Sequence, residues 1–245
     1  MKKIQVKCWL FILLFLGNSF FDPMSVYAEN TGENETTIDE NDLYAHAAVL
    51  MDAVSGRILY GKNADEKMAM ASTTKILTLI VTLEEANLED TVTISKYAAS
   101  MPDVQLSVRE GEQYRLEDLL YSLMLESHND SAVAIAEHVG GSIEKFAGLM
   151  NQKAEQIGCK NSFFITPNGL DATATVEKAD GTKIEMFHST TAADLAKILS
   201  YCITKSPKRE QFLKITGTQS YSFGDLQGKR SFSCQNHNAF LSSVY

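Results

Sequence analysis

The sequence predicts an α+β domain in which antiparallel strands pack with a cluster of helices. Three observations support this: a β-rich hairpin pattern comes first, several helical patterns fill the middle, and short strand-like runs come last. The chain has 245 residues, of which 44% are hydrophobic and 22% charged. This balance is typical of globular proteins, and the length is sufficient for a substantial core.

The first 28 residues follow the order of a secretory signal peptide. Lys2, Lys3 and Lys7 form a basic start, an apolar run covers 9–16, and Ala28 offers a small residue for cleavage. The alternative is a membrane anchor, but the apolar run is short for spanning a bilayer. The pattern therefore predicts export of the protein and cleavage after Ala28.

Charge and composition divide the rest of the chain. Residues 29–42 are polar and acidic without apolar periodicity, which predicts a disordered linker, so the predicted domain covers 43–245. The formal net charge of −9 argues against a nucleic-acid partner, because phosphate binding needs a basic surface. The remaining cysteines and the histidines lack the spacing of a disulfide framework or a zinc hydrolase, so neither a disulfide framework nor a zinc site is expected.

The first elements are a hairpin and a helix. A β-rich strand at 48–51, a turn near Ser55-Gly56 and a returning strand at 58–60 predict the hairpin. Residues 72–87 contain an almost continuous apolar run, and periodicity alone does not separate a buried strand from a buried helix there. The length favours a helix, because strands usually have four to eight residues.

Several further helices follow. Five apolar residues at i, i+3, i+4, i+7 and i+8 predict an amphipathic helix at 116–124. Glycine pairs, proline and capping residues then mark the ends of later elements. The expected elements are helices from about Ser131 to Gly140-Gly141, from Ser142 to Gly158, and from a Ser189-Thr190 cap to about Ile203, a turn at 166–169, and short strands within 212–232.

The first chemical pattern is Ser72-Thr73-Thr74-Lys75, which opens the apolar helix. Residues three apart share a helix face, so the Ser72 hydroxyl and the Lys75 amine should lie close together. A buried, uncharged lysine can take the proton of a serine and make it a nucleophile. The alternative is a helix cap followed by a surface lysine, and Ser142-Ile143-Glu144-Lys145 shows that the spacing alone is common.

The second pattern is Ser127-His128-Asn129, in a predicted loop between two helices. A hydroxyl there could relay a proton, and an amide could hold the lysine or a substrate peptide group. The alternative interpretation is that Asn129 or Asp130 caps the following helix, and both readings can hold together.

Together these patterns resemble the first two motifs of penicillin-binding proteins and serine β-lactamases. Other stretches are similar to the low-molecular-mass D-alanyl-D-alanine carboxypeptidases, and the resemblance covers roughly Ala45 to the end. These stretches are 51–60, Thr166-Pro167-Asn168-Gly169-Leu170-Asp171, 188–196 and Asn236-His237-Asn238.

The resemblance implies a β-lactamase/transpeptidase-like fold and a residue-by-residue assignment. Ser72 would be the acylated nucleophile, Lys75 the general base, Ser127 a proton relay, and Asn129 a group that orients substrate and lysine. The substrate would be a peptidoglycan pentapeptide ending in D-Ala-D-Ala, and β-lactams would acylate the same serine. No metal or cofactor is implied.

Two departures from the family pattern stand out. His128 occupies a position where many of these carboxypeptidases have glycine, and we expect it to be tolerated rather than catalytic. The third motif, Lys-Thr-Gly, is absent, since Lys214-Ile215-Thr216-Gly217 has an extra residue and lies too early. We therefore expect a domain that is incomplete at its C-terminus, inactive or barely active, and poorly folded, with membrane association only through a missing C-terminal region.

Two other functions fit parts of the sequence. A class A β-lactamase would need a glutamate after the second motif, and Glu177 and Glu185 lie in that half without a recognisable context. A non-catalytic relative that binds muropeptides would fit the missing third motif. A metal-dependent carboxypeptidase is disfavoured by the histidine spacing.

Overall fold

The computed structural model describes residues 43–241, which contain six α-helices and eight short strands joined by turns and loops. The predicted signal peptide and linker lie outside the described residues. The helices are α1 (Thr74–Glu85), α2 (Leu116–Leu125), α3 (Asn129–Gly140), α4 (Ile143–Ile157), α5 (Ala192–Thr204) and α6 (Arg209–Thr216). The strands are β1 (Ala48–Met51), β2 (Ile58–Lys62), β3 (Thr91–Thr93), β4 (Gln113–Arg115), β5 (Thr173–Glu177), β6 (Lys183–Phe187), β7 (Ser220–Gly224) and β8 (Ser231–Gln235).

The predicted hairpin is confirmed as β1 and β2, which pair antiparallel with an irregularity between Leu50 and Met51. Gly56 has a φ of 73°, and its amide donates to the Asp52 carbonyl, which closes the turn. Strands β3–β4, β5–β6 and β7–β8 also pair antiparallel, so the described strands form four two-stranded sheets. This arrangement, with six helices, confirms the α+β prediction.

Helix α1 is the centre of the core. It packs with α2, α3, α4, α5 and α6, and Leu77, Leu79 and Ile80 along it are almost wholly buried. A helix that is apolar on most faces is typical of the interior of a domain. The sequence Ser72–Lys75 at its start therefore leads into a helix that is surrounded by the five other described helices.

Two predicted helices match closely. Helix α4 is bounded as expected, with the Ser142 hydroxyl accepting from the Lys145 amide and Gly158 at a φ of 94° as the C-cap. Lys145 is exposed, as the surface interpretation of this second Ser-x-x-Lys stretch requires. The C-cap of α3 is Gly141, which is also left-handed, as predicted. The helix begins at Asn129, two residues before the predicted start.

Other boundaries differ from the prediction. Helix α5 is capped by Thr191, whose hydroxyl accepts from the Asp194 amide, whereas Ser189 and Thr190 form isolated β-bridges. Residues 212–216, expected to begin a run of strands, lie in α6, because Phe212 and Ile215 share a buried face. The hairpin β5–β6 was not predicted at all. Among the described helices, none is long and apolar enough to cross a membrane.

Candidate active site

Ser72 lies in a 3-10 turn, Ala71–Thr73, that leads into α1. Ala71 has a φ of 46°, a left-handed conformation that costs energy for a residue other than glycine. The turn leaves Ser72 exposed to solvent while Lys75, three residues later, is only 2% exposed. The chain therefore presents a hydroxyl at the surface with an amine buried directly beneath it.

The Lys75 amine brings all four predicted site residues together. Its Nζ lies 3.2 Å from Ser72 Oγ, 3.0 Å from Ser127 Oγ and 2.7 Å from Asn129 Oδ1. When charged, the ammonium can donate to all three oxygens. When neutral, its lone pair can accept from a serine hydroxyl while its remaining hydrogens hold the other two partners.

Burial shifts the charge equilibrium of this amine. It lowers the pKa of Lys75 to about 8, although the nearby Asp130 carboxylate acts in the opposite direction. Removing a cation from water disfavours the charged form, which is the dominant effect here. A useful fraction of the amine is therefore neutral near neutral pH, as a general base requires.

The second motif lies in the short connection between α2 and α3. Ser127 has a φ of 61°, again left-handed, and this turns its hydroxyl toward Lys75. His128 is buried and turns elsewhere, with Nδ1 2.8 Å from Ser122 Oγ and Nε2 3.3 Å from Glu126 Oε2. The ring nitrogens of His128 thus face Ser122 and Glu126 rather than Ser72 or Lys75.

The expected capping role of Asn129 or Asp130 is wrong. His128 is the N-cap of α3, without a side-chain capping bond. The buried Asp130 carboxylate instead accepts from the amides of Leu106 and Val108, 3.0 Å and 3.2 Å away. The backbone amide of Asn129 contacts the same segment and donates to the Val104 carbonyl. These bonds hold residues 101–108 beside the site.

Gly169 packs against the backbone that precedes Ser72. It has a φ of 85°, and a Cβ added there would lie 1.9 Å from the Ala71 carbonyl oxygen and 2.9 Å from Thr74 Oγ1. A glycine is therefore required on both conformational and steric grounds. The neighbouring Pro167 carbonyl accepts a hydrogen bond from Thr78, which fixes the 166–169 turn to α1.

His188 is a positioning residue that the sequence patterns did not reveal. The Ile165 amide donates to its Nδ1 at 2.9 Å, so Nε2 carries the proton and donates to Thr74 Oγ1, also at 2.9 Å. Burial lowers its pKa to about 4, with Asp171 opposing that shift. The neutral ring connects the 165–170 segment to the first turn of α1.

The remaining sequence candidates lie apart from this cluster. Lys214, in the stretch with an extra residue relative to Lys-Thr-Gly, lies on α6 and pairs with Glu117. Glu177 and Glu185, the candidates for a β-lactamase glutamate, are exposed on β5 and β6. Within the described residues, the site therefore consists of two serines, a lysine and an asparagine. In this arrangement the lysine can activate the hydroxyl of Ser72.

Comparison with known proteins adds a family to this geometry. The model of the Peptidase_S11 family, described as D-alanyl-D-alanine carboxypeptidase, matches residues 34–245. The carboxypeptidase DacF of Bacillus subtilis is 33% identical over 199 residues, which are 79% of this chain and 46% of DacF. DacC of Escherichia coli is 36% identical over 170 residues, covering 65% of this chain and 42% of DacC.

A solved structure of penicillin binding protein 5 from Haemophilus influenzae agrees in fold. It superimposes with a TM-score of 0.65 at 29% identity, covering 81% of this chain and 54% of that one. The chain spans less than half the length of the two curated relatives it matches.

Proposed function

Because the chain belongs to the D-alanyl-D-alanine carboxypeptidase family, we propose that it is a serine hydrolase that removes the terminal D-alanine from peptidoglycan stem peptides. The observation that carries this proposal is the buried Lys75 amine, within hydrogen-bonding distance of Ser72, Ser127 and Asn129.

In the first step, neutral Lys75 accepts the proton of Ser72 while Ser72 Oγ attacks the carbonyl carbon of the scissile D-Ala-D-Ala bond. The carbonyl electrons move to oxygen and return as the C–N bond breaks. The leaving amine takes a proton from the Lys75 ammonium by way of the Ser127 hydroxyl, so free D-alanine departs and an ester remains on Ser72.

In the second step, water attacks this ester. Lys75, neutral again, takes a proton from the water, and Ser72 recovers a proton as the C–O bond breaks. Asn129 holds the lysine through its Oδ1, and its amide nitrogen donates to the Pro102 carbonyl, so the side chain keeps one orientation throughout. A β-lactam would enter the same first step, with its ring nitrogen as the leaving group.

The protein would act outside the cytoplasm on the cell wall. The basic start, apolar run and Ala28 of the N-terminal segment support export, and the acidic residues 29–42 would link that segment to the domain. Detection of the mature protein beginning at Glu29, in the medium or cell envelope, would support this location. Recovery only of uncleaved cytoplasmic protein would contradict it.

The proposed reaction can be tested by labelling the full chain with fluorescent penicillin to completion. We expect slow covalent labelling of the parent chain, its loss in Ser72→Ala, and its retention at the parent level in Ser142→Ala. The second variant is a matched control, because Ser142 also precedes a lysine by three residues but caps α4. Equal labelling of all three proteins would contradict the proposal.

Substrate assays distinguish the carboxypeptidase from the β-lactamase alternative. We expect Ser72-dependent release of D-alanine from a pentapeptide, with penicillin remaining attached to the enzyme. Rapid turnover of nitrocefin without D-alanine release would instead favour a β-lactamase. Reversible muropeptide binding unaffected by Ser72→Ala, with no label in any variant, would favour a binding protein.

A further inference from the structure

Three potential metal-ligating side chains converge beside the second motif. The ligand atoms of Glu126, His128 and Cys234 all lie within 4.8 Å of one another. Glu126 is the C-cap of α2, His128 is the N-cap of α3, and Cys234 lies in β8. Within residues 43–241, this is the one group of three such side chains at this separation.

The spacing is close to that of a tetrahedral ion. Zinc bonds of about 2.0–2.1 Å to nitrogen and oxygen place those two atoms about 3.3–3.4 Å apart, and a bond of about 2.3 Å places a sulfur about 3.6 Å from each. His128 Nε2 and Glu126 Oε2 are 3.3 Å apart. Closing the remaining separations by about 1 Å would complete three corners of such a site.

Neighbouring groups already orient two of the ligands. Ser122 Oγ lies 2.8 Å from His128 Nδ1 and 2.8 Å from Ser131 Oγ, so a proton on Nδ1 can be held while Nε2 stays free to bind an ion. The Gln235 amide donates to Glu126 Oε1 at 2.8 Å and leaves Oε2 available. Such outer contacts are a regular feature of metal sites, where they fix ring orientation and tautomer.

The donor set indicates which ion would bind. A thiolate, an imidazole and a carboxylate together suit Zn²⁺ and Co²⁺, whereas Mg²⁺ and Ca²⁺ prefer oxygen ligands throughout. His128 and Cys234 are buried and Glu126 is partly exposed, so the solvent-facing corner can be taken by water. The Cys234 thiol would release its proton to solvent as the ion binds.

We propose that Glu126, His128 and Cys234 form a binding site for Zn²⁺ or a similar transition-metal ion. Two of the three ligands flank Ser127, so the bound ion would tie the second motif to β8. Cys234 is distant from Glu126 and His128 in the sequence, so the spacing of the histidines gave no indication of a metal. The site goes beyond the proposed hydrolase function and does not require that Ser72 react.

The test is titration of the reduced full chain with Co²⁺, followed by its absorption spectrum. We expect one equivalent to bind with a sulfur-to-cobalt charge-transfer band, and Zn²⁺ but not Mg²⁺ to displace it. Cys234→Ser should lose the band. Cys202→Ser should keep it, because that cysteine is equally buried, at 0% exposed against 1%, but belongs to no such group.

A second variant covers the case in which Cys234→Ser fails to fold. Glu126→Gln keeps the size of the side chain and should weaken Co²⁺ binding more than about tenfold, since loss of even an outer partner costs about 10–100-fold. Absence of the band in the parent chain, a band that persists in folded Cys234→Ser, or unchanged affinity in Glu126→Gln would overturn the site. Each result would show that Glu126, His128 and Cys234 do not share a metal ion, whatever the penicillin labelling shows.

Discussion

Two lysines in this domain, the buried Lys75 and the partly buried Lys153, have opposite surroundings. Lys75 faces two hydroxyls and an amide oxygen, whereas Lys153 lies 2.6 Å from the Glu84 carboxylate. Burial lowers the pKa of Lys75 to about 8. Burial acts the same way on Lys153, but its hydrogen bond and ion pair with Glu84 outweigh it and raise its pKa.

The difference lies in what compensates the buried charge. Hydrogen bonds from Lys153, Ser206 and Tyr201 overcome burial and lower the pKa of Glu84, so this pair stays ionised and ties α1 to α4. Lys75 has only neutral hydrogen-bond partners, and the Asp130 carboxylate favours its charged form only from a distance. A lysine with a counterion contributes to stability, and one without it is available for proton transfer.

The largest expected effect comes from removing the reactive lysine. Lys75→Met should lower the rate of penicillin labelling about 10²–10⁴-fold, the usual contribution of a general base. The measurement is the labelling rate of folded protein, checked by circular dichroism. A folded Lys75→Met variant that labels at the parent rate would contradict the assignment.

The corresponding change at the other lysine should affect stability instead. Lys153→Met leaves Glu84 buried without its cation and should lower the free energy of unfolding by up to about 3–5 kcal/mol, measured by urea denaturation. Glu84→Gln combined with Lys153→Met should recover part of that loss. If Lys153→Met instead reduced labelling as strongly as Lys75→Met in folded protein, the distinction between the two lysines would fail.

Gly169 tests whether the backbone beneath Ser72 has to be held in place. Gly169→Ala introduces a methyl group against the Ala71 carbonyl at a left-handed position, which should cost about 1–3 kcal/mol and slow labelling. Gly148→Ala, in α4 with nothing within 4 Å, is the control. It should be neutral or stabilising by about 0.5–1 kcal/mol, because alanine favours the helix. Equal effects of the two substitutions would show that Gly169 has no special role.

The pH dependence of the labelling rate should identify Lys75 as the group that accepts the proton of Ser72. The labelling rate should rise about tenfold per pH unit below the Lys75 pKa and level off above about 8, because only the neutral amine is active. The depressed pKa also means that the folded state loses this proton before the unfolded state does. Lys75 therefore contributes increasing stability as pH rises from about 8 toward 10.5, the ordinary pKa of a lysine. A labelling rate that does not change with pH below about 8 would argue against a lysine base.

Much of the fold followed from local sequence signals. The length of an apolar run indicated α1 and apolar periodicity located α2, while Gly141 and Gly158 marked the ends of α3 and α4, because left-handed caps are local features. The hairpin β5–β6 was missed even though Asp180-Gly181 is a common turn sequence. Its strands alternate exposed residues with half-buried apolar ones at 174, 176, 184 and 186, so this alternation together with the turn would have indicated it.

The candidate site also contains contacts that have a local sequence signal and contacts that only the tertiary fold creates. Ser72 and Lys75 share a helix turn, so their proximity was predictable from spacing. The contact of Lys75 with Ser127 and Asn129 came from family resemblance, because it joins two elements through the tertiary fold. Neither the His188 contact with Thr74 nor the approach of Cys234 to His128 has a local sequence signal, since both join distant segments.

The most direct test is to find the residue that becomes acylated. The full chain would be treated with a β-lactam, digested and mapped by mass spectrometry, beside Lys75→Met as a control. We predict a single adduct on Ser72 in the parent chain and none in Lys75→Met over the same time. An adduct on another residue, or one on Ser72 that forms equally fast without Lys75, would contradict activation of this serine by the buried amine.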